Sequence, residues 1–76
     1  MDQYPIIDVR EISPPLRTTT LTDRISNLKE GEGIILKVDH DPKPLALLLR
    51  HEYGMNLQWD YRKQGPVEWE VLVTVI

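Results

Sequence analysis

The C-terminal end of the chain constrains the fold more than any other stretch. Leu57, Trp59 and Tyr61 alternate with Gln58, Asp60 and Arg62. After Gln64-Gly65-Pro66, Trp69, Val71, Val73 and Val75 alternate with Glu68, Glu70, Leu72 and Thr74. Alternation with period two marks a half-buried strand, because successive side chains leave opposite faces of a sheet. The Gly-Pro pair between the two runs is a turn, so the runs are expected to pair as an antiparallel hairpin. A lone hairpin is marginal in water, so its apolar face needs a cover from the rest of the chain.

The remaining sequence offers that cover. Ile6-Ile7-Asp8-Val9 is a short β-branched run that reads as a first strand, ended by Ser13-Pro14-Pro15. From Leu16 to Leu28 the period changes: Leu21, Ile25 and Leu28 fall on one helical stripe. Thr20 and Asp23 have the spacing of a capping box, and the helix is expected to start between Pro15 and Thr20. Gly31 and Gly33 close it. Ile34-Ile35-Leu36-Lys37-Val38 is nearly all apolar, as a central strand requires. Asp39-His40-Asp41-Pro42 ends that strand, and Asp41 is an expected N-cap for a second helix whose first turn carries Pro42 and Pro44. Leu45, Leu48, Leu49 and Glu52 keep helical spacing, and Tyr53-Gly54 is a stop signal. The order β-α-β-α-β-β predicts one domain over residues 1–76. It is an α+β two-layer sandwich with two helices on one face of a four-stranded mixed sheet, the first βαβ crossover being right-handed.

Composition narrows the functions. A chain of 76 residues has room for one small core, and 41% of its residues are hydrophobic. With no cysteine it can form no disulfide, zinc finger or thiol-dependent site. Its net charge is -3, its pI about 5.2, and its nine Lys and Arg residues are scattered rather than clustered. Proteins that neutralise phosphates lean the other way, so no nucleic-acid partner is expected. The longest apolar run, Leu45 to Leu49, is far too short to span a bilayer, and Met1-Asp2-Gln3-Tyr4-Pro5 lacks the features of a signal peptide. The expected location is therefore cytoplasmic, as a monomer or weak homodimer.

Asp8-Val9-Arg10 followed by Pro14-Pro15, then Gly31-Glu32 and Asp39-His40-Asp41-Pro42-Lys43-Pro44-Leu45, form a recognisable pattern. Trp59-Asp60-Tyr61, Gly65-Pro66 and Trp69-Glu70-Val71 complete it. The chain thereby resembles the small bacterial sulfur carriers of TusA/SirA-like fold, and more closely a branch of unknown function, DUF2249. The resemblance implies the two-layer fold. It also implies a protein partner among redox or nitrogen-oxide metalloproteins, because similar domains are fused to, or encoded beside, hemerythrin-like proteins. The sulfur carriers present a Cys-Pro-x-Pro motif at the start of their first helix. Aligning the prolines puts Pro14 at the position of that cysteine, with Ser13 beside it, and neither can carry a persulfide. A thiol relay is therefore excluded for this chain alone.

If the first two strands are parallel, their carboxyl ends and both helix starts share one corner of the sheet. Ligands often bind at such an edge, and helix amides favour anions. The candidate ligand-binding residues there are Arg10, Arg17, Thr18, Asp39, His40 and Asp41, with Glu11 and Ser13 close by. The competing reading is an ion pair between Arg10 and Asp39 or Asp41 that closes the corner. His40 is a weak candidate for a metal ligand, since His51 is expected near the far end of the second helix. Ser13 with His40 lacks the surroundings of a hydrolase, and Gly31-Glu32-Gly33 is too short for a phosphate loop. Trp59, Tyr61 and Trp69 share their face with valines, which predicts core packing. The opposite sheet face is expected to mix polar residues with Ile35, Leu72 and Ile76. The expectation is a non-enzymatic interaction or regulatory module that holds no cofactor. The alternative is a small-anion, metal or haem binder that uses the helix-start corner.

Overall fold

The computed structural model describes residues 4–76. Its elements are β1 (Ile6–Asp8), α1 (Arg17–Ser26), β2 (Gly33–Val38), α2 (Lys43–His51), β3 (Leu57–Gln64) and β4 (Trp69–Val75). Two single 3-10 turns, Val9–Glu11 and Pro14–Leu16, join β1 to α1. The sheet order is β1-β2-β4-β3, with β1 parallel to β2 and the other pairs antiparallel. The expected α+β sandwich is the fold observed: β2 occupies the sheet interior and the hairpin forms as read.

Side-chain alternation sorts the two faces. Ile34, Leu36 and Val38 of β2 and Val71 and Val73 of β4 are buried under Leu21 and Ile25 of α1 and Leu49 of α2. Leu36, Leu49, Val71 and Val73 have no exposed surface at all. Burial of each such side chain contributes about 1.5–3 kcal/mol, so this single cluster carries the domain. Both helices therefore lie on one face of the sheet.

On the other face the register builds a row of alternating charge. Asp8 lies opposite Lys37, Lys37 opposite Glu70, and Glu70 opposite Lys63. Ion pairs join Lys37 to Glu70 at 3.6 Å and Lys63 to Glu68 at 3.2 Å. A one-residue slip would bury these charges, so the row helps to fix the pairing. Ile6, Ile35 and Leu72 form the neighbouring apolar row, as the mixed-face expectation required.

Three local expectations change. The first strand stops at Asp8 rather than Val9, because the Asp8 carboxylate accepts the Arg10 amide at 3.1 Å and turns the chain into a 3-10 turn that buries Val9. Thr20 caps nothing. The Pro14-Pro15 turn, closed by Leu16 N–H to Ser13 C=O at 2.8 Å, runs straight into α1 at Arg17. Thr20 and Asp23 thus sit inside the helix. Asp41 precedes the N-cap of α2, which is Pro42; its carboxylate accepts the Lys43 amide at 3.1 Å in a turn just before the helix. At the other end Gly54 (φ 61) reverses the chain as expected, and the Met55 amide returns to the Leu49 carbonyl at 3.1 Å. Among the described residues no helix is long and apolar enough to cross a membrane.

Candidate functional site

The parallel pairing of β1 and β2 brings both helix starts to one rim, and a cleft of about 350 Å³ opens between them. Val9, in the turn after β1, and Val38, at the end of β2, form its floor, and Leu21, Leu45 and Leu48 form its walls from the two helices. Pro14, Pro42 and Pro44 shape the lip. Prolines suit this position because a first helical turn needs no amide donor from them. The polar groups of the lining are Arg17, Thr18 and His40.

The six expected ligand residues divide into three sets. Arg17, Thr18 and His40 line the cleft. The Arg17 side chain also braces its rim: Nε donates to the Ile12 carbonyl at 2.9 Å and Nη2 to the Arg10 carbonyl at 3.5 Å. That leaves guanidinium donors over for a ligand. Asp39 stands behind His40, its Oδ1 2.7 Å from the His40 Nδ1, which orients the imidazole. This hydrogen bond holds the Asp39 carboxyl below its usual range, against a smaller opposing effect of desolvation.

Arg10 and Asp41 face elsewhere. Asp8 alternates onto the open sheet face, and Arg10 follows it there through a two-pronged pair: Nε to Oδ1 and Nη2 to Oδ2, both at 2.8 Å. This hydrogen bonding lowers the Asp8 pKa and raises that of Arg10. The expected partners Asp39 and Asp41 are thus displaced by a carboxylate two residues away, whose spacing matches the guanidinium fork. Asp41 turns to the far side of α2, where it accepts a hydrogen bond from the Tyr61 hydroxyl at 2.6 Å. Around the helix start the chain alternates: His40, Pro42 and Pro44 line the cleft, while Asp41 and Lys43 line a separate groove.

That groove, about 440 Å³, lies between α2 and the β3–β4 hairpin and was not foreseen. Trp59 and Trp69 pack on the core as expected, while Tyr61 is not part of it; all three are half buried and wall the groove. Lys43, Leu47 and Arg50 face them from α2. The available signal was the i, i+4, i+7 stripe of those three residues; only the placement of α2 over the hairpin turns it into a site. Among the described residues no three His, Asp or Glu side chains come together as a metal site.

The chain is thus a two-layer α+β domain with a lipped cleft at the shared start of its helices. The sequence profile of the uncharacterized conserved proteins DUF2249 matches residues 6–75. The chain belongs to that family. No curated protein and no solved structure matches it.

Proposed function

We propose that this domain is a non-enzymatic interaction module that receives an apolar side chain of a partner protein in the cleft between its helix starts, with a neighbouring carboxylate of the partner set against Arg17 and His40. The observation that carries the reading is the make-up of the cleft. Its walls come from both helices and are aliphatic, and Arg17, Thr18 and His40 are its polar lining. Buried apolar anchors supply most of the affinity of such contacts, while charged rims select the partner and speed its approach. At about 350 Å³ the cleft takes one or two side chains. The family resemblance directs the search for that partner to redox and nitrogen-oxide metalloproteins, cytoplasmic ones first.

The experiment is co-purification with tagged wild-type domain from a host that encodes it, repeated with Leu48→Asp and with Arg17→Gln. The Gln side chain retains a donor for the Ile12 carbonyl. A partner retained by wild type and lost with both variants, whose peptide shifts the amide resonances of Leu21, Leu45 and Leu48, supports the reading. A partner retained equally by all three proteins refutes it. The alternative, a free small anion in the same cleft, is favoured by the joint presence of Arg17 and His40. It would appear as saturable shifts of the same resonances with a short-chain carboxylate alone.

A further inference from the structure

The groove on the other side of α2 has a chemistry of its own, independent of the cleft. Both tryptophans of the chain line it, together with Tyr61. Tyr61 and Trp69 meet edge to face, with centroids 6.2 Å apart and planes at 68°. Such a pair offers ring faces and edges to a further ring, in the arrangement aromatic groups prefer. The opposite wall is cationic. Among the described residues neither Lys43 nor Arg50 forms an ion pair, and Arg50 makes one long hydrogen bond, Nη2 to the Leu57 carbonyl at 3.4 Å. The single carboxylate of the lining, Asp41, is occupied by the Tyr61 hydroxyl and the Lys43 amide. The Trp59 indole N–H is itself buried, so this ring meets the groove with its carbon surface.

We propose that the groove is a binding site for a planar aromatic carboxylate, stacked against Trp59, Tyr61 and Trp69 with its acid group held by Lys43 and Arg50. A ring fills the aromatic wall, and cations over or beside aromatic faces reinforce the charge preference. The volume falls within the range of small-ligand pockets.

The test uses 2-naphthoate as probe and its neutral counterpart 2-naphthamide, read by the indole N–H resonances of Trp59 and Trp69 in the full chain. The expected result is a saturable shift of both resonances by 2-naphthoate at a Kd of about 1 mM or tighter. Binding of the amide should be at least fivefold weaker, and so should binding of 2-naphthoate to Lys43→Ala/Arg50→Ala. Arg17→Gln, in the other cleft, should leave the affinity unchanged. No shift, equal affinity for acid and amide, or shifts that map to Leu21, Leu45 and Leu48 would each overturn the proposal. If the double variant loses its folded spectrum, Arg50→Gln with the acid–amide comparison decides in its place.

Discussion

The Tyr61 hydroxyl and the Asp41 carboxylate meet at 2.6 Å across 20 residues of chain. This bond ties the middle of β3 to the turn that launches α2, and the same carboxylate oxygen accepts the Lys43 amide. It therefore sets the position of the segment whose alternate residues line the cleft and the groove. Burial first, and then the hydrogen bond to Asp41, raise the Tyr61 pKa against an opposing effect of the Trp59 side chain.

Replacing Tyr61 by Phe should cost about 1 kcal/mol, the net worth of one such bond at a half-exposed site. Asp41→Asn should cost a similar amount, and the double variant less than the sum, because the two groups share one interaction. Urea denaturation of the four proteins measures this coupling, and strict additivity would show that the bond contributes nothing. The alkaline side follows from the raised pKa. The folded state holds the phenol proton more tightly, so this contribution is full below about pH 10 and fades as pH rises through the folded pKa. The stability gap between wild type and Tyr61→Phe should narrow there.

Acid should weaken the domain through Asp8, Asp39 and Glu68. Their pKa values are lowered chiefly by hydrogen bonds from Arg10, His40 and Lys63 respectively. A lowered carboxylate pKa stabilises the fold above the unfolded-state value, and the effect disappears as pH falls through the folded value. Full stabilisation is thus expected above about pH 5, with progressive loss below about pH 4. Arg10→Gln isolates one pair: its stability deficit relative to wild type should be present at pH 6 and shrink as pH falls through the folded-state value of Asp8. A deficit that stays constant across that range would mean that Arg10 acts by packing rather than by its charge.

The second helix is held to the sheet by few side chains, and Leu49 is the one with no exposed surface. Leu49→Ala should cost about 2–5 kcal/mol. That is a large share of the roughly 4–11 kcal/mol expected for a chain of this length. Two positions earlier Leu47 is 45% exposed at the groove, and Leu47→Ala should change stability by less than about 0.5 kcal/mol. Comparison of the two urea midpoints checks the helix face directly. Equal costs would mean that α2 docks in another rotation.

Much of this architecture was legible because period and burial agree. Strand β2 reads as central from its apolar run, and β3 and β4 read as a hairpin from their alternation. The shared rim of the helices follows from β1 and β2 running parallel, which brings Arg17, Thr18 and His40 to the cleft. What failed were local competitions. The Asp8 carboxylate could extend the strand or cap a turn, and the turn wins because it satisfies the Arg10 amide and guanidinium together. The threonines could cap or sit within a helix, and the Pro14-Pro15 turn upstream had already fixed the start. Arg10 leaves the cleft for a related reason: once Asp8 points to the open sheet face, its partner goes with it. The Trp59–Tyr61–Trp69 groove depends on where α2 lies across the hairpin, and no local pattern encodes that.

Gly65 gives the sharpest test of the hairpin turn beside that groove. Its φ is 49°, in the left-handed region that side chains disfavour by about 1–2 kcal/mol. A Cβ placed there would also stand 2.8 Å from Cε2 of Trp69 and 2.9 Å from its Cζ2 and Nε1, closer than atoms pack. Gly65→Ala therefore carries two costs, and the second falls on a groove residue. The expected loss is about 1–3 kcal/mol, accompanied by a shift of the Trp69 indole N–H resonance while Trp59 moves less. The ring of Trp69 has to give way, so its edge-to-face contact with Tyr61 should loosen and weaken 2-naphthoate binding together with the fold. A variant that keeps wild-type stability and an unmoved Trp69 resonance would show that the turn has another conformation, and that the hairpin places its tryptophan by other contacts.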